Sequence, residues 1–357
     1  MTATIFFLWL AFQTPAVSPE GAQHMQAGVD AHKQGHFEVA AAEFRKVTES
    51  DPNLVEAFLD LGEVEMELRD YSAAAKALNR ALELNPELDP AHLQLGYALL
   101  AQGYAEQAIP HLERVHAAEA LGIAYIETGH YQAAIANLSA ALAQRPDDPD
   151  LLYYLGRASG LLSKQSIDTL LAAHPDSARS HQAMAENYYV LRQMPQAEKE
   201  YASALQQRPD LPGLHLELGQ VYANSAQWPK AEEAFRTEAR IQPGNAEAAY
   251  RLGDALLQQG KVKDALAELK RADALQPDMS ETLYSLGKAA SLAGDSAAAE
   301  HALLKVAELE KNAGSLAAQS HFALAALYRK QGQPAKARHE MEEFQKLQST
   351  IGPPRAE

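Results

Sequence analysis

The chain has 357 residues, 47% of them apolar and 22% charged, values typical of an ordered globular protein. Its formal net charge of −16, with no long basic run, argues against nucleic-acid binding, which requires clustered Lys and Arg. Because the chain has no cysteine, disulfides, thiolate zinc sites and a cysteine nucleophile are excluded.

The first predicted element is an apolar segment near the N-terminus. Residues 5–12 read IFFLWLAF, a run too short to span a bilayer but suited to the apolar core of a secretory signal. We therefore predict a signal-like leader over residues 1–20 and a periplasmic or secreted protein of bacterial origin. The alternative is an N-terminal cap on a cytoplasmic protein, since no Lys or Arg precedes the run and Pro19 follows the candidate cleavage site.

A small residue preceded by Leu, Ala or Met recurs through the rest of the chain, and six of the nine gaps between successive copies are 34 residues. An internal period of this length is typical of a helical repeat protein. We call these residues the markers: Gly28, Gly62, Gly96, Gly122, Gly156, Ala185, Gly219, Gly253, Gly287 and Ala325.

Two further types of residue recur at a fixed distance after most markers. A small residue follows twelve positions later and a large apolar one sixteen positions later, as Ala231 and Phe235 follow Gly219. Apolar residues at spacings of three and four predict helices with one covered face, and a turn glycine such as Gly260 predicts a break between them. Each unit is therefore predicted to be a helix–turn–helix, and the units must stack, because one hairpin cannot bury its own apolar face.

This pattern resembles the tetratricopeptide repeat, whose signature is W-x₂-L-G-x₂-Y, then A-x₃-F, then P. The best copy is Leu218-Gly219-x₂-Tyr222 with Ala231-x₃-Phe235 and Pro243; no copy has the leading Trp. The resemblance covers residues 21–351 and implies an all-α fold, a right-handed α–α superhelix of about ten helix–turn–helix repeats. Residues 352–357 are predicted to be a tail. The predicted repeats span residues 21–54, 55–88, 89–114, 115–148, 149–177, 178–211, 212–245, 246–279, 280–313 and 318–351.

Three units depart from the period. The third marker is followed by a gap of only 26 residues, so its second helix or the next linker must be shortened. The second half of the fifth unit, residues 163–174, lacks the small and large apolar pair. The tenth has about four extra residues near 314–317. We expect each departure to change the local pitch of the superhelix.

The sequence offers no convincing catalytic motif. His32 and His36 have the spacing of two zinc ligands on one helix, but no third ligand accompanies them. Ser285-x₂-Lys288 matches the first motif of penicillin-binding enzymes without its companions. Because the repeats occupy nearly the whole chain, we predict a non-enzymatic protein with no catalytic residue, no cofactor and no metal.

The resemblance also implies a binding surface, since in this family the first helices of the hairpins line a concave groove. Residues three and two before each marker, and one and four after it, should face the groove. Tyr and Arg at such positions are typical of interface hot spots, although tyrosine can also fill space between hairpins, as predicted for Tyr125, Tyr188, Tyr222 and Tyr328. The predicted partner-binding residues are Tyr97, Tyr153, Tyr154, Arg157, Tyr189, Tyr250, Arg251 and Tyr284, with Glu186, Asp254 and Lys288 beside them.

The leading functional hypothesis is a non-catalytic, extracytoplasmic scaffold that binds a peptide or helix of a partner protein in this groove. The alternative is a membrane-anchored accessory subunit of an envelope-assembly or glycan-export complex. A third is an enzyme with an unrecognised site. Some family members clamp acidic C-terminal tails with asparagine and lysine; no asparagine holds one of the four groove positions, and the acidic region 38–89 would repel such a tail.

Overall fold

The computed structural model describes residues 17–310 and 314–351. The apolar run at residues 5–12 of the leader predicted over residues 1–20, and the tail predicted at residues 352–357, therefore lie outside the described residues. The described residues form nineteen helices and no strand, which confirms the predicted all-α fold. The helices are α1 Pro19–Lys33, α2 Phe37–Ser50, α3 Val55–Glu67, α4 Tyr71–Leu84, α5 Asp89–Ala101, α6 Ala105–Arg114, α7 Ala118–Glu127, α8 Tyr131–Gln144, α9 Pro149–Ala173, α10 Ala178–Val190, α11 Met194–Gln207, α12 Leu214–Asn224, α13 Trp228–Ile241, α14 Ala246–Gln258, α15 Val262–Leu275, α16 Ser280–Ala293, α17 Ser296–Leu309, α18 Gly314–Lys330 and α19 Pro334–Ile351.

The chain divides into two compact units, unit 1 (Met1–Ser166) and unit 2 (Ile167–Glu357), with the boundary inside α9. In unit 1, α1 to α8 form four hairpins of consecutive helices; in unit 2, α10 to α19 form five. Within each unit, the second helix of a hairpin contacts the first helix of the next hairpin. Each unit is therefore a stack of hairpins rather than a domain built around one central core.

The markers lie where the two helices of a hairpin touch. A Cβ placed on Gly253 would lie 2.7 Å from Cγ of Leu269, and one placed on Gly219 would lie 2.5 Å from Cε1 of Phe235. Leu269 and Phe235 are buried, with exposed fractions of 0% and 1%. Glycine is thus required by the close approach of the helices, and the large residue sixteen positions later fills the space beside it.

Each hairpin turns at the residue seven positions after its marker, and in the described hairpins this residue has a positive φ. Six of these residues are glycine, such as Gly260 with φ +72°. The other three, Arg69, Arg192 and Ala226, adopt the same left-handed conformation without glycine's freedom. The turn geometry therefore comes from the helix packing on either side and does not depend on glycine alone.

The three irregular units differ in the expected places. In the third, the second helix α6 has only 10 residues, as the short gap predicted, and α7 of the next unit also has 10. The fifth differs from the expected hairpin: α9 is one helix of 25 residues, because Ser163 occupies the turn position and no helix breaker follows it. In the tenth, α18 has 17 residues against 13 in α14, so the extra residues lengthen a helix.

Across the parts of the chain that the structure describes, no helix combines the length and the apolar character needed to cross a bilayer.

Candidate functional site

In unit 2, two pairs of side chains join the first helices of neighbouring hairpins, α10 and α12. The Nδ2 of Asn224 donates a hydrogen bond to the hydroxyl of Tyr189 at 2.7 Å. The Nε2 of Gln182 lies 3.2 Å from both carboxylate oxygens of Glu217. These residues therefore share one surface. We call it the first-helix face, formed by Gln182, Glu186 and Tyr189 of α10, Glu217, Gln220 and Asn224 of α12, and Tyr250, Arg251 and Asp254 of α14.

A cleft of about 210 Å³ opens on this face between α12, α13 and α14. Phe235 is almost fully buried and closes its floor. Apolar and polar side chains both line this α12–α14 cleft, as expected of a site that binds and orients a ligand. The lining residues are Gln220, Ala223, Asn224, Trp228, Phe235, Arg251, Asp254 and Ala255.

Two of the predicted tyrosines of unit 2, Tyr250 and Tyr284, each stack with a basic residue. The guanidinium carbon of Arg251 lies 5.2 Å from the centre of the Tyr250 ring, and its Nε donates to Oε1 of Glu247 at 2.6 Å. The Nζ of Lys288 lies 5.5 Å from the centre of the Tyr284 ring on α16. Burial raises the pKa of the Tyr250 hydroxyl, and the charge of Asp254 adds to the effect. These rings are half-buried, so they both pack and leave an accessible edge.

Negative charge on the first-helix face is only partly neutralised. Burial raises the pKa of the Glu217 carboxyl, and the neighbouring charge of Glu186 raises it further, against the hydrogen bond from Gln182. Asp254 forms no hydrogen bond or ion pair with any residue that the structure describes. An incoming group therefore meets at least one carboxylate that is free to bind it.

The predicted partner-binding residues of unit 1 lie in two separate places, on α9 and on α5. Tyr153 and Tyr154 of α9 lie in edge-to-face contact, with ring centres 5.3 Å apart, and Arg157 is exposed on the same helix. Tyr154 also packs against the core that contains Leu138 of α8, which supports its alternative role as a packing residue. Tyr97 lies on α5, 40% exposed. The role of these residues in binding stays a prediction.

The four tyrosines predicted to pack between hairpins do so: Tyr125, Tyr188, Tyr222 and Tyr328 each contact a core cluster. The four positions counted from each marker missed four of the residues that line the cleft, namely Asn224, Trp228, Phe235 and Ala255. Asn224 lies five positions after its marker, one beyond those considered. Trp228 begins a second helix, and only the packing of α13 against α14 brings it to the face.

Several histidines have a structural role that the sequence did not reveal. At four of the markers, a histidine four positions earlier, where the family signature has Trp, contacts the residue nineteen positions after it on the second helix. Three of these contacts join a ring nitrogen to a carboxylate and the fourth joins two rings: His24–Glu43 at 2.5 Å, His181–Glu200 at 2.7 Å, His321–Glu340 at 2.6 Å and His92–His111 at 2.8 Å. Within the described residues there is no group of three side chains suited to hold a metal.

The raised pKa of Asp60, on α3, predicts that the free energy of unfolding depends measurably on pH. Burial raises its pKa to about 6, and the charges of Glu63 and Glu56 add to the effect while His32 opposes it. Because this pKa lies above that of the unfolded chain, ionisation of Asp60 costs stability as the pH rises from about 4 through 6.

We expect Asp60→Asn to raise the free energy of unfolding by about 1 kcal/mol at pH 7, a value reduced for solvent screening, and by less at pH 4.5. Urea denaturation at the two pH values measures the difference. Glu106→Gln, at an exposed position of α6, is the control and should change stability equally little at both. A gain from Asp60→Asn that does not depend on pH would contradict the assignment.

Comparison with known proteins agrees with this architecture. Family models described as "Tetratricopeptide repeat" match residues 25–89, 59–120, 216–280 and 318–343, and one described as "TPR repeat" matches residues 122–160. The peroxisomal targeting signal receptor of Candida albicans is 37% identical over 75 residues, which are 21% of this chain and 13% of that protein.

Similar solved structures share little sequence with this chain. The crystal structure of MamA protein is 19% identical, covering 48% of this chain and 92% of that one, with a TM-score of 0.45. Yeast Tom70 is 12% identical, covering 93% and 92%, with a TM-score of 0.41. YrrB, described as a TPR protein with an unusual peptide-binding site, is 19% identical, covering 51% and 92%, with a TM-score of 0.45. The stacked hairpins, and family models that match more than half of the residues, show that the chain belongs to the tetratricopeptide repeat family.

Proposed function

We propose that this protein is a non-catalytic scaffold that binds a peptide or helix of a partner protein on the first-helix face of unit 2, at the α12–α14 cleft. The tetratricopeptide repeat is in general a fold for protein interaction. The observation that carries the proposal is the cleft itself, which combines an apolar floor with amide, guanidinium and carboxylate groups. The partial match to a receptor for a targeting signal is in keeping with a peptide ligand.

The chemistry of the cleft suits a peptide. Amide groups such as those of Gln220 and Asn224 can bind the backbone of an extended chain, while Trp228 and the floor at Phe235 offer apolar contact to a side chain. Arg251 is already oriented by Glu247 and by the Tyr250 ring, so little freedom is lost when it binds. Aromatic and arginine side chains of this kind supply most of the energy at interfaces.

The proposal predicts a specific loss of binding in Arg251→Ala. Peptides are first selected against the wild-type protein from a random nonapeptide library displayed on phage, and their affinities are measured by fluorescence anisotropy. We expect Arg251→Ala to weaken them by roughly tenfold, the effect of losing one charged hydrogen bond.

The matched control is Arg236→Ala, which removes the same type of ion pair, Arg236–Glu232, from the second helix α13. It should bind as the wild type does. Selected peptides that bind all three proteins equally, or a library from which no peptide is selected, would overturn the proposed function.

We also propose an extracytoplasmic location, which rests on the apolar run at residues 5–12. N-terminal sequencing of the protein expressed in a bacterium tests it. A mature start near residues 17–24 supports export with cleavage. An intact Met1 or Thr2 supports the alternative, in which the segment stays as the anchor of an accessory subunit in an envelope-assembly or glycan-export complex.

A further inference from the structure

Resting on the proposed function, we infer that the α12–α14 cleft selects a basic side chain: a lysine or arginine of the bound peptide enters it, with its charge on Asp254 and its alkyl stem against Trp228 and Ala255.

The charge that the cleft offers to a ligand is negative. Two charged residues line it, and they differ in what they already bind. Arg251 donates to Glu247 at 2.6 Å, so its charge is compensated within α14. Asp254 lines the same cleft and has neither a hydrogen bond nor an ion pair among the described residues. Its charge nevertheless acts locally, since it contributes to the raised pKa of Tyr250.

The basic residues around the cleft are also engaged by carboxylates. Lys230, two residues after Trp228, lies 3.3 Å from Glu198. Lys261 lies 2.5 Å from Glu232, whose other oxygen is 2.9 Å from Arg236. None of these cations is therefore free to neutralise Asp254.

The rest of the first-helix face adds to the negative potential. Glu186 of α10 has no hydrogen bond or ion pair among the residues that the structure describes, and its charge helps to raise the pKa of Glu217. Arg179 opposes this effect, and Lys288 stacks on Tyr284 one hairpin away. A cationic ligand would relieve the repulsion between the two glutamates, whereas an anionic one would increase it.

The cleft also fits the uncharged part of such a side chain. Lysine and arginine carry several methylene groups that lie against apolar surface while the charged end reaches a polar partner. Trp228 packs against the core of unit 2 and so presents a fixed ring to this stem. The Oδ1 of Asn224 accepts one hydrogen bond, from Gln220 at 3.2 Å, and keeps a second lone pair for the ligand's cation.

The other classes of side chain fit less well. An apolar side chain would cover Asp254 without giving it a partner, which costs free energy because a buried charge loses its water. An acidic side chain would meet the unpaired carboxylate of Asp254, which repels it. A basic side chain is the one class that uses both the apolar wall and the free carboxylate.

The test uses the full chain and four pools of nonapeptides that differ in a fixed central residue: Lys, Arg, Leu or Glu, with the flanking positions randomised. Binding is measured by fluorescence anisotropy for the wild type, Asp254→Asn and Asp254→Lys. The matched control is Asp264→Asn, which removes an exposed carboxylate from α15. Circular dichroism and thermal unfolding confirm that each variant is folded.

We expect the Lys and Arg pools to bind the wild type at least tenfold more tightly than the Leu and Glu pools. Asp254→Asn should remove most of this preference, Asp254→Lys should shift it to the Glu pool, and Asp264→Asn should leave it unchanged. A preference for the Leu or Glu pool, or a basic preference that survives Asp254→Asn, would overturn the inference and leave the proposed function standing. If no pool binds the wild type, the proposed function fails with it.

Discussion

Replacing Gly253 with alanine is expected to lower the free energy of unfolding by about 1–2 kcal/mol, whereas the same change at Gly156 is expected to raise it by about 0.5–1 kcal/mol. Both glycines are markers within helices. At Gly253 the new Cβ would lie 2.7 Å from Cγ of Leu269 and 3.2 Å from its backbone nitrogen, so the helices must separate. A Cβ on Gly156 would lie more than 4 Å from any atom outside the local backbone of its own helix, so only the higher helix propensity of alanine remains.

Hydrogen exchange measured helix by helix is the suitable method, because stacked repeats need not unfold in one step. Protection should fall in α14 and α15 for Gly253→Ala and rise in α9 for Gly156→Ala. If both substitutions changed protection in the same direction, the close packing of helices at the markers would not explain why these residues are glycine.

The second large effect is expected at the buried pair of His321 and Glu340, which joins α18 to α19. The side chains are 8% and 9% exposed, and Glu340→Leu leaves His321 without that carboxylate. We expect a loss of about 2–4 kcal/mol in the stability of this hairpin, since a buried polar group then loses a bond that water cannot replace. The double variant His321→Leu/Glu340→Leu should recover much of the loss.

The matched control is Glu43→Leu in the first hairpin, where the equivalent pair with His24 is 27% and 18% exposed. Water can reach this pair, so the loss should be about 1 kcal/mol or less. Exchange protection of the two hairpins gives both values. Equal losses in both would show that burial does not set the strength of these contacts.

The sequence predicts the hairpins well because their packing is local. Gly253 and Leu269 are only sixteen residues apart, so the period itself encodes their contact. The single helix α9 was not predicted, because the count of markers implied a hairpin at Gly156. The sequence did show that the small and large apolar pair is missing after this marker. Without that pair, the residues after Ser163 cannot pack back as a second helix, and the first helix continues through Ser163.

The candidate site could be predicted only in part. Tyr250 and Arg251 follow from their distance to a marker, since a helix fixes which positions share a face. Trp228 and Asn224 could not be found in this way, because the cleft exists only where α13 packs between α12 and α14. The role of His321 was missed because its partner Glu340 lies nineteen residues away on another helix. Only pairs of histidines at the spacing of metal ligands on one helix were considered from the sequence.

The binding face can be located directly with a photoreactive amino acid. Benzoylphenylalanine is placed at Gln220, which lines the α12–α14 cleft, or at Lys270, an exposed residue of the second helix α15. Both proteins are irradiated with the nonapeptides selected against the wild type, and adducts are measured by mass spectrometry. Peptide adducts at position 220 and none at position 270 are the expected result. Adducts at position 270 alone, or in equal yield at both positions, would contradict binding on the first-helix face.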